Sequence, residues 1–395
     1  MKWETVQISE FCKTGTGGTP SRSNMERYYE GGTIPWVKSG ELRENIITDT
    51  GEHVTEAALK ETSIKLVPAG ALLLALYGAT VGRLGILGVE ATTNQAVCHI
   101  IPDPQKANVR YLFHALSNQV SNLVARGVGG AQPNISQGIV KELGLMLPPL
   151  AEQKRIAAIL DAADALRAKR REALAQLDAL LQSTFLTLFG DPVTNPMGWE
   201  VSNVGDFAAV QGGLQVTTAR KHYPVEVPYL RVANVYRGFL NLKEIKTIRT
   251  TEADVDRTTL RKDDLLIVEG HGNPAEIGRG ALWDGSIPIC VHQNHIIRVR
   301  FDHERILPVY GSEYVNSPGG RRHLLRAGKT TTGLNTISVS EVKATPLAVP
   351  PLPLQQKFAA IVESVERQKA AQRAHLAELD ALFAALQHRA FRGEL

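Results

Sequence analysis

Two long stretches of the chain repeat apolar positions with the period of an α-helix. They follow Pro148 and Pro350, are rich in Ala, Leu, Glu, Gln, Lys and Arg, and run without glycine as far as Gly190 and Gly393. Apolar residues recur every three or four positions, which predicts one sustained apolar stripe on each helix. About 36 residues would form a rod of roughly 55 Å. A helix this long with a single stripe needs a partner helix.

The stripe positions of the two stretches are the predicted helix-pairing residues. Equivalent positions lie 202 residues apart, so the obvious partner of each helix is the other one. Polar Arg170 and Gln372 interrupt the stripes, either as a solvated stretch or as residues that control the register of pairing. The predicted helix-pairing residues are Ile159, Leu166, Leu174, Leu177, Leu181, Ile361, Val365, Leu376, Leu379 and Phe383.

The same spacing relates the sequences around the helices. LPPLAEQKRIAAIL at 147–160 recurs as VPPLPLQQKFAAIV at 349–362. Weaker matches follow in the same order upstream, such as VGRLGIL at 81–87 with IGRGALW at 277–283. The chain is therefore a two-fold internal repeat of a variable domain followed by a long helix. The predicted segments are a first domain at 1–150, a helix at 151–190, a second domain at 191–352 and a helix at 353–395.

Each variable domain mixes short apolar runs with glycine-rich turns and a few helical stretches. The runs ALLLALYG at 71–78 and DLLIVEGH at 264–271 predict buried strands, and VRYLFHALSNQVSNLVARG at 109–127 predicts a helix. This pattern indicates the α+β class, with two similar α/β domains of about 150 residues each.

Composition and charge narrow the classes of function. The 395 residues are 43% hydrophobic and 21% charged, as in a soluble globular protein. The longest apolar run, 69–79, is too short to span a bilayer, and the N-terminal sequence lacks an apolar signal segment. We therefore expect a cytoplasmic protein without a membrane partner. The formal net charge is only +4, so binding to a polyanion would require locally arranged positive charge.

The sequence lacks the motifs of several chemistries. The three cysteines are far apart, and no Walker A lysine motif or dinucleotide-binding glycine motif is present. His292 and His295 stand three apart on a predicted strand, where they face opposite sides, so their spacing does not suit metal ligands. No serine has a neighbouring His/Asp pattern for nucleophilic catalysis. The sequence predicts no catalytic residue and no metal site.

The order of motifs resembles the DNA-specificity subunit of Type I restriction-modification enzymes, and the resemblance covers essentially the whole chain. The second half departs from the pattern, with GGLQVTT at 212–218 and HGNPAEIGR at 271–279 replacing two of the strings of the first half. The strings that carry the resemblance are GTGGTPS at 15–21, PWVKSGEL at 35–42, YGATVGRLGI at 77–86, NQA at 94–96, PPLAEQKRIAAIL at 148–160, and FGDP with GW within 189–199.

The resemblance implies a non-catalytic subunit with two target-recognition domains, each reading one half of an asymmetric bipartite site in double-stranded DNA. It implies two copies of a methyltransferase subunit and a motor/nuclease subunit as partners, in a system for DNA methylation and defence against foreign DNA. S-adenosylmethionine, ATP and Mg are then expected on those partners, with no cofactor bound by this chain.

Two separate target-recognition domains favour pairing of the two long helices as an antiparallel coiled coil with internal pseudo-two-fold symmetry. Such a pair would fix the gap between the half-sites. Because the two domains differ, the site would be asymmetric, unlike that of a homodimer. Two other interpretations stay open. The chain could be a specificity-type DNA-binding module that serves a different effector, or a coiled-coil scaffold without DNA binding.

Basic, hydroxyl-bearing and aromatic side chains of the variable domains are the predicted DNA contacts. The loop from Lys13 to Arg22 either lets backbone N–H groups approach a phosphate or is a plain surface turn. Residues similar in both halves, such as Lys38 and Arg231, favour a phosphate contact or a structural role, and residues that differ favour base reading. The predicted contacts are Lys13, Thr14, Thr16, Thr19, Ser21, Arg22, Lys38, Tyr77, Thr80, Arg83, Arg126, Lys221, Arg231, Tyr236, Arg237, His271, Arg279, Arg321, Arg322 and Lys329.

Overall fold

The computed structural model describes residues 3–127, 134–331 and 334–395. The chain forms two compact units. The first comprises Met1–Arg171 and Ala374–Leu395, and the second comprises Glu172–Arg373. Since both divisions fall inside the long helices, each unit contains one variable domain and half of each helix.

The first unit is built on a five-stranded sheet of order β2-β9-β6-β7-β4, a three-stranded sheet β5-β3-β8 and the pair β1-β10. Neighbouring strands are antiparallel except β4 with β7 and β3 with β8. The strands are β1 (Thr5–Gln7), β2 (Cys12–Thr16), β3 (Ile34–Val37), β4 (Asn45–Ile47), β5 (His53–Val54), β6 (Leu72–Ala75), β7 (Leu84–Leu87), β8 (Thr92–Thr93), β9 (Val97–Pro102) and β10 (Gly144–Met146). The helices are α1 (Ile8–Phe11), α2 (Met25–Tyr28), α3 (Glu56–Glu61), α4 (Val109–Arg126), α5 (Gln137–Lys141) and the first part of α6 (Leu150–Phe189).

The second unit repeats this topology. The order β12-β19-β15-β17 corresponds to β2-β9-β6-β7, β14-β13-β18 to β5-β3-β8, and β11-β22 to β1-β10, with an additional sheet β16-β21-β20. The strands are β11 (Val201–Asn203), β12 (Ala208–Gly212), β13 (Val225–Leu230), β14 (Lys246–Thr250), β15 (Leu265–Val268), β16 (Gly270–His271), β17 (Gly280–Leu282), β18 (Val291–His292), β19 (Ile296–Phe301), β20 (Lys329–Thr331), β21 (Leu334–Thr336) and β22 (Pro346–Ala348). The helices are α7 (Glu252–Thr258), α8 (Pro308–Asn316), α9 (Arg322–Ala327), α10 (Val339–Lys343) and α11 (Leu352–Ala390), of which α11 continues into the first unit.

Apolar strands form the centre of both domains. All four residues of β6 are fully buried, as are those of β15, because each strand lies inside its sheet with side chains covered on both faces. The two apolar runs predicted as strands and the helix predicted at 109–127 are therefore confirmed. The α+β class and the internal repeat are confirmed with them.

The long helices α6 and α11 run antiparallel in both units. In the first unit, Arg155 donates to the carbonyl of Leu395 at 2.6 Å, and Arg167 pairs with Asp380 at 2.7 Å. Residue numbers on one helix thus rise as those on the other fall. In the second unit, Lys369 pairs with Asp178 at 2.7 Å. There the rings of Phe185 and Phe358 lie 5.7 Å apart, again in antiparallel order.

The seam between the helices lies close to the predicted stripe but not on every predicted residue. At the start of α6 the buried apolar side chains are Ile156, Ala157 and Leu160, which pack in the core of the first unit, while Ile159 is half-buried and Leu166 is 51% exposed. Adjacent apolar residues on several faces made the stripe ambiguous there. Of the other predicted residues, Leu181 and Val365 are buried, and Leu174, Leu177, Ile361, Leu376, Leu379 and Phe383 are half-buried.

A buried glutamine in each repeated string fastens a helix to its domain. The Asn108 N–H donates to Gln153 Oε1 at 2.8 Å, and Gln153 Nε2 donates to the carbonyls of Lys106 and Pro148, each at 2.8 Å. Both Gln153 and its counterpart Gln355 are fully buried. The glutamine that recurs after the prolines is therefore a structural clamp.

The clamp of the second unit has the same geometry. The Leu307 N–H donates to Gln355 Oε1 at 2.8 Å. Gln355 Nε2 donates to the carbonyls of Arg305 at 3.0 Å and Pro350 at 2.8 Å. The repeated string thus places the same hydrogen bonds at the start of both long helices.

Candidate nucleic-acid interface

The glycine-rich loop of the first unit is fastened to the domain by its backbone. The N–H groups of Gly17 and Gly18 donate to the carbonyls of Val97 and Thr93. A Cβ at Gly17 would lie 1.8 Å from the Thr93 carbonyl oxygen, so only glycine fits this approach. These two N–H groups are used within the fold, which at the two glycines favours a plain surface turn over a phosphate contact.

Hydroxyl groups remain on the outer face of this loop. Thr16, Thr19 and Ser21 are exposed; Thr19 donates to the Gln95 side chain, and the Ser21 and Ser23 hydroxyls lie 2.8 Å apart. A ligand at this loop could therefore contact its side chains, whereas the Gly17 and Gly18 N–H groups are already used.

Two predicted cations of the first unit share one carboxylate. Arg22 and Lys38 contact Glu52 at 2.6 and 2.5 Å, and the Arg22 guanidinium lies 4.4 Å from the centre of the Tyr29 ring. The hydrogen bond from Lys38 is the main reason that the pKa of Glu52 lies below its ordinary value. Sequence reasoning missed Glu52, because it is distant from both cations along the chain.

The other predicted contacts of the first unit differ in accessibility. Tyr77 is half-buried against the core, and Thr14 accepts a hydrogen bond from Gln137 at 3.0 Å. Thr80 is half-buried, and its carbonyl accepts from the N–H of Arg83. Three predicted cations are exposed, namely Lys13 on β2, Arg83, which pairs with Glu44 at 2.7 Å, and Arg126 in the last turn of α4.

Three arginines of the second unit meet at the turn Pro274–Glu276. Arg237 and Arg321 both donate to the carbonyl of Ala275, at 3.3 and 3.1 Å. Arg279 pairs with Glu276 at 2.8 Å. Sequence reasoning named all three arginines as separate candidates, and the fold brings them together in one cluster, here called the arginine cluster.

The arginine cluster carries more positive than negative charge. Burial, and then repulsion from Arg321, lower the pKa of Arg237 below its ordinary value, although Glu276 opposes this. The pKa of Glu276 is itself lowered, mainly by the hydrogen bond from Arg279. Three guanidinium groups around one carboxylate form a surface that favours an anion such as a phosphate.

An aromatic pair lies beside the arginine cluster. The rings of Tyr236 and Phe239 are stacked, with centres 4.9 Å apart and planes at 10°, and the Arg279 guanidinium lies 4.9 Å from the centre of the Tyr236 ring. Phe239 is 55% exposed. Sequence reasoning missed Phe239 because its side chain has no charge or hydroxyl group; the apolar residue beside Gly238 in a turn is the signal that could have identified it.

Arg279 is mostly buried. Its side chain is only 8% exposed, and besides Glu276 it donates to the carbonyl of Val232 at 3.3 Å. These contacts favour the structural role that the repeat also allowed over a DNA contact. Its counterpart Arg83 is exposed, so the two equivalent arginines have different surroundings.

The remaining candidates of the second unit lie in several places. Arg231 is mostly buried and contacts Glu244 at 3.2 Å, and His271 is half-buried with Nδ1 accepting the Asn273 N–H at 3.0 Å. Lys221 and Arg322 are exposed. Lys329 lies on β20, and its side chain is outside the described part of the structure.

The histidines have structural partners. His292 is buried with Nδ1 2.9 Å from the carbonyl of Ile296, and His295 contacts Glu269 at 3.3 Å. Within the described residues, no group of three or more His, Cys, Asp or Glu side chains could hold a metal ion. Likewise, none of the helices in those ranges is long and apolar enough to cross a membrane.

Burial of His292 predicts a pH-dependent stability. Burial lowers its pKa from 6.5 to about 4, so the folded chain favours the neutral ring. The free energy of unfolding should be highest above pH 6.5 and fall by about 3 kcal/mol as the pH drops to 4. Denaturant titrations of the wild type and of His292→Gln across this range measure the difference. A variant with the same pH dependence as the wild type would contradict the assignment, and exposed His222→Gln is the control.

A family model described as the Type I restriction modification DNA specificity domain matches residues 1–176 and again 196–381. The two matches fall on the two repeats and cover most of the chain. The chain belongs to this family. Specificity subunits recognise DNA sequence and are not the catalytic subunits, which confirms the predicted class of function.

Curated relatives of this specificity subunit match over most of their length. The Type I restriction enzyme MjaIX specificity subunit of Methanocaldococcus jannaschii is 25% identical over 391 residues, covering 91% of this chain and 86% of the relative. The EcoKI specificity subunit of Escherichia coli strain K12 is 26% identical over 428 residues, covering 100% and 89%. Both matches therefore extend over more than one of the two repeats.

Solved structures share the fold. The S subunit of a Type I restriction-modification system from M. genitalium has a TM-score of 0.58 at 14% identity, covering 99% of this chain and 96% of that one. A chain from a study of complex assembly and conformational transition of the type I R-M system also has a TM-score of 0.58, at 18% identity, with coverage of 100% and 98%. At these identities the likeness concerns the fold alone.

Proposed function

We propose that this specificity subunit reads an asymmetric bipartite site in double-stranded DNA, with one half-site for each variable domain and an unread gap set by the paired helices. The observation that carries the proposal is that the two units repeat one sheet order but present different side chains. Similar scaffolds with different surfaces suit two different half-sites, whereas two identical readers would suit a palindrome.

One equivalent turn illustrates the difference. Glu44 and Gly238 both have positive φ, 57° and 74°, and their N–H groups donate to the carbonyls of Leu84 and Gly280 in the equivalent strands β7 and β17. The next residue is Asn45 in the first unit and Phe239 in the second. A polar amide and an exposed aromatic ring at one position of the scaffold would contact bases in different ways.

The likeness to Type I specificity subunits supports the partners proposed here. They are two copies of a methyltransferase subunit, which would bind S-adenosylmethionine, and a motor/nuclease subunit, which would use ATP and Mg. Two equivalent leucines support the stoichiometry. Leu180 and Leu382 occupy the same position of the repeat, one in each unit, and each is 48% exposed on its helix. An apolar side chain repeated on two helix surfaces fits a partner that binds twice.

Aspartate at these leucines should remove partner copies one at a time. Leu180→Asp and Leu382→Asp should each leave one methyltransferase per chain, and the double variant should leave none, because a charge in an apolar contact is not compensated. Native mass spectrometry of the copurified complex measures the ratio. Two bound copies in the double variant would contradict the assignment. Exposed Gln356→Asp, placed on α11 in the second unit, serves as the matched control.

The function is tested by coexpression with the cognate methyltransferase in a host that lacks other adenine methylation, followed by mapping of methylated adenines. We expect one asymmetric motif of two short blocks separated by a gap of fixed length. A continuous palindrome would contradict the proposal. DNA binding without new methylation would instead favour a specificity-type module that serves a different effector.

A further inference from the structure

Two charged residues occupy the seam between the long helices. In the first unit, Arg167 continues the row of Leu160 and Ala163, and its side chain is only 19% exposed. In the second unit, Lys369 continues the row that contains Val365, and its side chain is 9% exposed. Cations are unusual in such positions, because removal from water is unfavourable unless they are paired.

Each cation is paired both along its own helix and across the seam. Arg167 contacts Asp164 and Asp380, each at 2.7 Å, and Arg171 contacts Asp380 at 3.4 Å. Asp164, Arg167 and Arg171 belong to α6, whereas Asp380 belongs to α11. The first unit therefore contains a four-residue ion cluster, with two positive and two negative groups, that joins the helices.

The second unit contains the four equivalent residues with the helices exchanged, although Arg373 contacts its own helix where Arg171 contacts the opposite one. Lys369 contacts Glu366 at 2.5 Å on its own helix and Asp178 at 2.7 Å on α6, and Arg373 contacts Glu366 at 3.6 Å. Each of these four residues lies 202 positions from its counterpart in the first cluster. The ion cluster is thus part of the internal repeat, and each copy lies within one unit.

The clusters distinguish one pairing register from its neighbours. The residue numbers of each crossing pair add up to 547. A slip of seven residues, about 10 Å along the helix, returns each helix to the same position of its heptad. In one direction, that slip places Arg167 opposite Arg373 and Arg171 opposite Lys369. The like charges would oppose this slip, as would the loss of the contact between Phe185 and Phe358.

The slip in the other direction is also opposed. It places Lys369 opposite Phe185 and Asp178 opposite Leu376, so that charged groups lose their partners inside the seam. An unpaired charge in a buried position is more unfavourable than the loss of an apolar contact. The ions therefore oppose a slip of seven residues in either direction.

We propose that the two ion clusters fix the register of the helix pair and thereby the length of the gap between the two DNA half-sites. The inference rests on the proposed function, since the gap is a property of the bipartite site. Arg167, Asp380, Lys369 and Asp178 act in it as positioning residues that do not touch DNA.

The test measures methylation by the full chain with its methyltransferase partner on duplexes that carry the mapped motif. The readout is the ratio of the rate at the native gap to the rate at gaps about three base pairs shorter or longer, because a slip of about 10 Å spans about three base pairs at about 3.4 Å each. Asp380→Lys and Asp178→Lys should each lower this ratio at least about tenfold, because each places a cation beside a seam cation. The double variant Arg167→Glu/Asp380→Lys restores the attraction across the seam but leaves Asp164 and Arg171 beside like charges, so it should recover part of the ratio that Asp380→Lys loses.

A control pair lies on one helix only. Glu363 contacts Arg367 at 3.1 Å on α11, both side chains are exposed, and the pair does not cross the seam. Glu363→Lys should leave the ratio unchanged. A general loss of stability would lower both rates together, whereas a change in register changes their ratio.

The outcomes separate this inference from the proposed function. If the wild type methylates without regard to the gap, the proposed function fails and this inference fails with it. If the wild type is gap-specific but Asp380→Lys and Asp178→Lys keep the wild-type ratio, only this inference is overturned. Should a lysine variant not fold, Asp380→Asn and Asp178→Asn remove the attraction without adding repulsion. A wild-type ratio in both asparagine variants would also overturn it.

Discussion

Gln355→Leu is expected to lower the free energy of unfolding of the second unit by about 3 kcal/mol, because it leaves the buried Pro350 carbonyl and the part-buried Leu307 N–H and Arg305 carbonyl without their partner. The side chain of Gln355 is fully buried and joins α11 to the segment before α8 through Leu307 and Arg305. Leucine has a similar volume, so the change removes hydrogen bonds without opening a large cavity. Denaturant unfolding followed by tryptophan fluorescence and circular dichroism measures the loss.

The neighbouring residue provides a matched control. Gln356 is exposed on the same helix turn, and Gln356→Leu should change the free energy of unfolding by less than about 0.5 kcal/mol. Gln153→Leu should reproduce the large effect in the first unit, since its hydrogen bonds are equivalent. Equal effects of Gln355→Leu and Gln356→Leu would show that the buried clamp is not what holds the helix to the domain.

Arg237→Ala combined with Arg321→Ala should weaken binding of the assembled complex to its DNA by about 10- to 100-fold. Each change removes a cation from a cluster that has three guanidinium groups and one carboxylate, and loss of one phosphate contact is worth about 1 kcal/mol or more. The slope of log affinity against log salt concentration should become shallower by about two. Fluorescence anisotropy at several salt concentrations measures both quantities.

A second exposed arginine of the same unit separates this effect from a general loss of charge. Arg249 lies on β14 and contacts Glu226 at 3.5 Å. Arg249→Ala should change the affinity less than about twofold, because its charge is already balanced by one carboxylate. Thermal unfolding of all variants checks that the fold is intact. If Arg249→Ala weakened binding as much as the double variant, the arginine cluster would not be the phosphate contact.

The sequence predicts the architecture well because the internal repeat is visible in local sequence features. The spacing of 202, the prolines before each helix and the two apolar strand runs are local features, and each corresponds to an element of the structure. The position of the seam was harder to predict. Ile156, Ile159 and Leu160 are all apolar within two turns of α6, so periodicity alone does not say which of them faces α11.

The candidate DNA contacts are less predictable, because their roles depend on partners that are distant in the sequence. Arg279 looks like an accessible cation, yet Glu276 and the Tyr236 ring bury it. The glycines at 17 and 18 look like a phosphate-binding loop, yet their N–H groups pair with strands much later in the chain. Charge and glycine content indicate that a site is possible, and only the tertiary fold shows which groups are still free to bind.

The charged seam residues show the same limit in the helices. Arg170 and Gln372 interrupt the predicted apolar stripe, whereas Arg167 and Lys369 lie outside it. Their partners across the seam, Asp380 and Asp178, belong to the opposite helix and are distant in the sequence, so no local pattern indicates the pairing.

The central claim, that each variable domain reads its own half-site, is tested most directly by replacing residues 199–350 with the equivalent domain of another specificity subunit. The graft should keep Gln355 and the helix residues Phe185 and Phe358, and the donor domain should have an aromatic residue at the position of Tyr310, which packs against Phe185. Methylated adenines are then mapped for the chimera and the wild type. We expect one half of the motif to change, while the other half and the gap length stay the same. A motif in which both halves change, or in which neither does, would contradict the account.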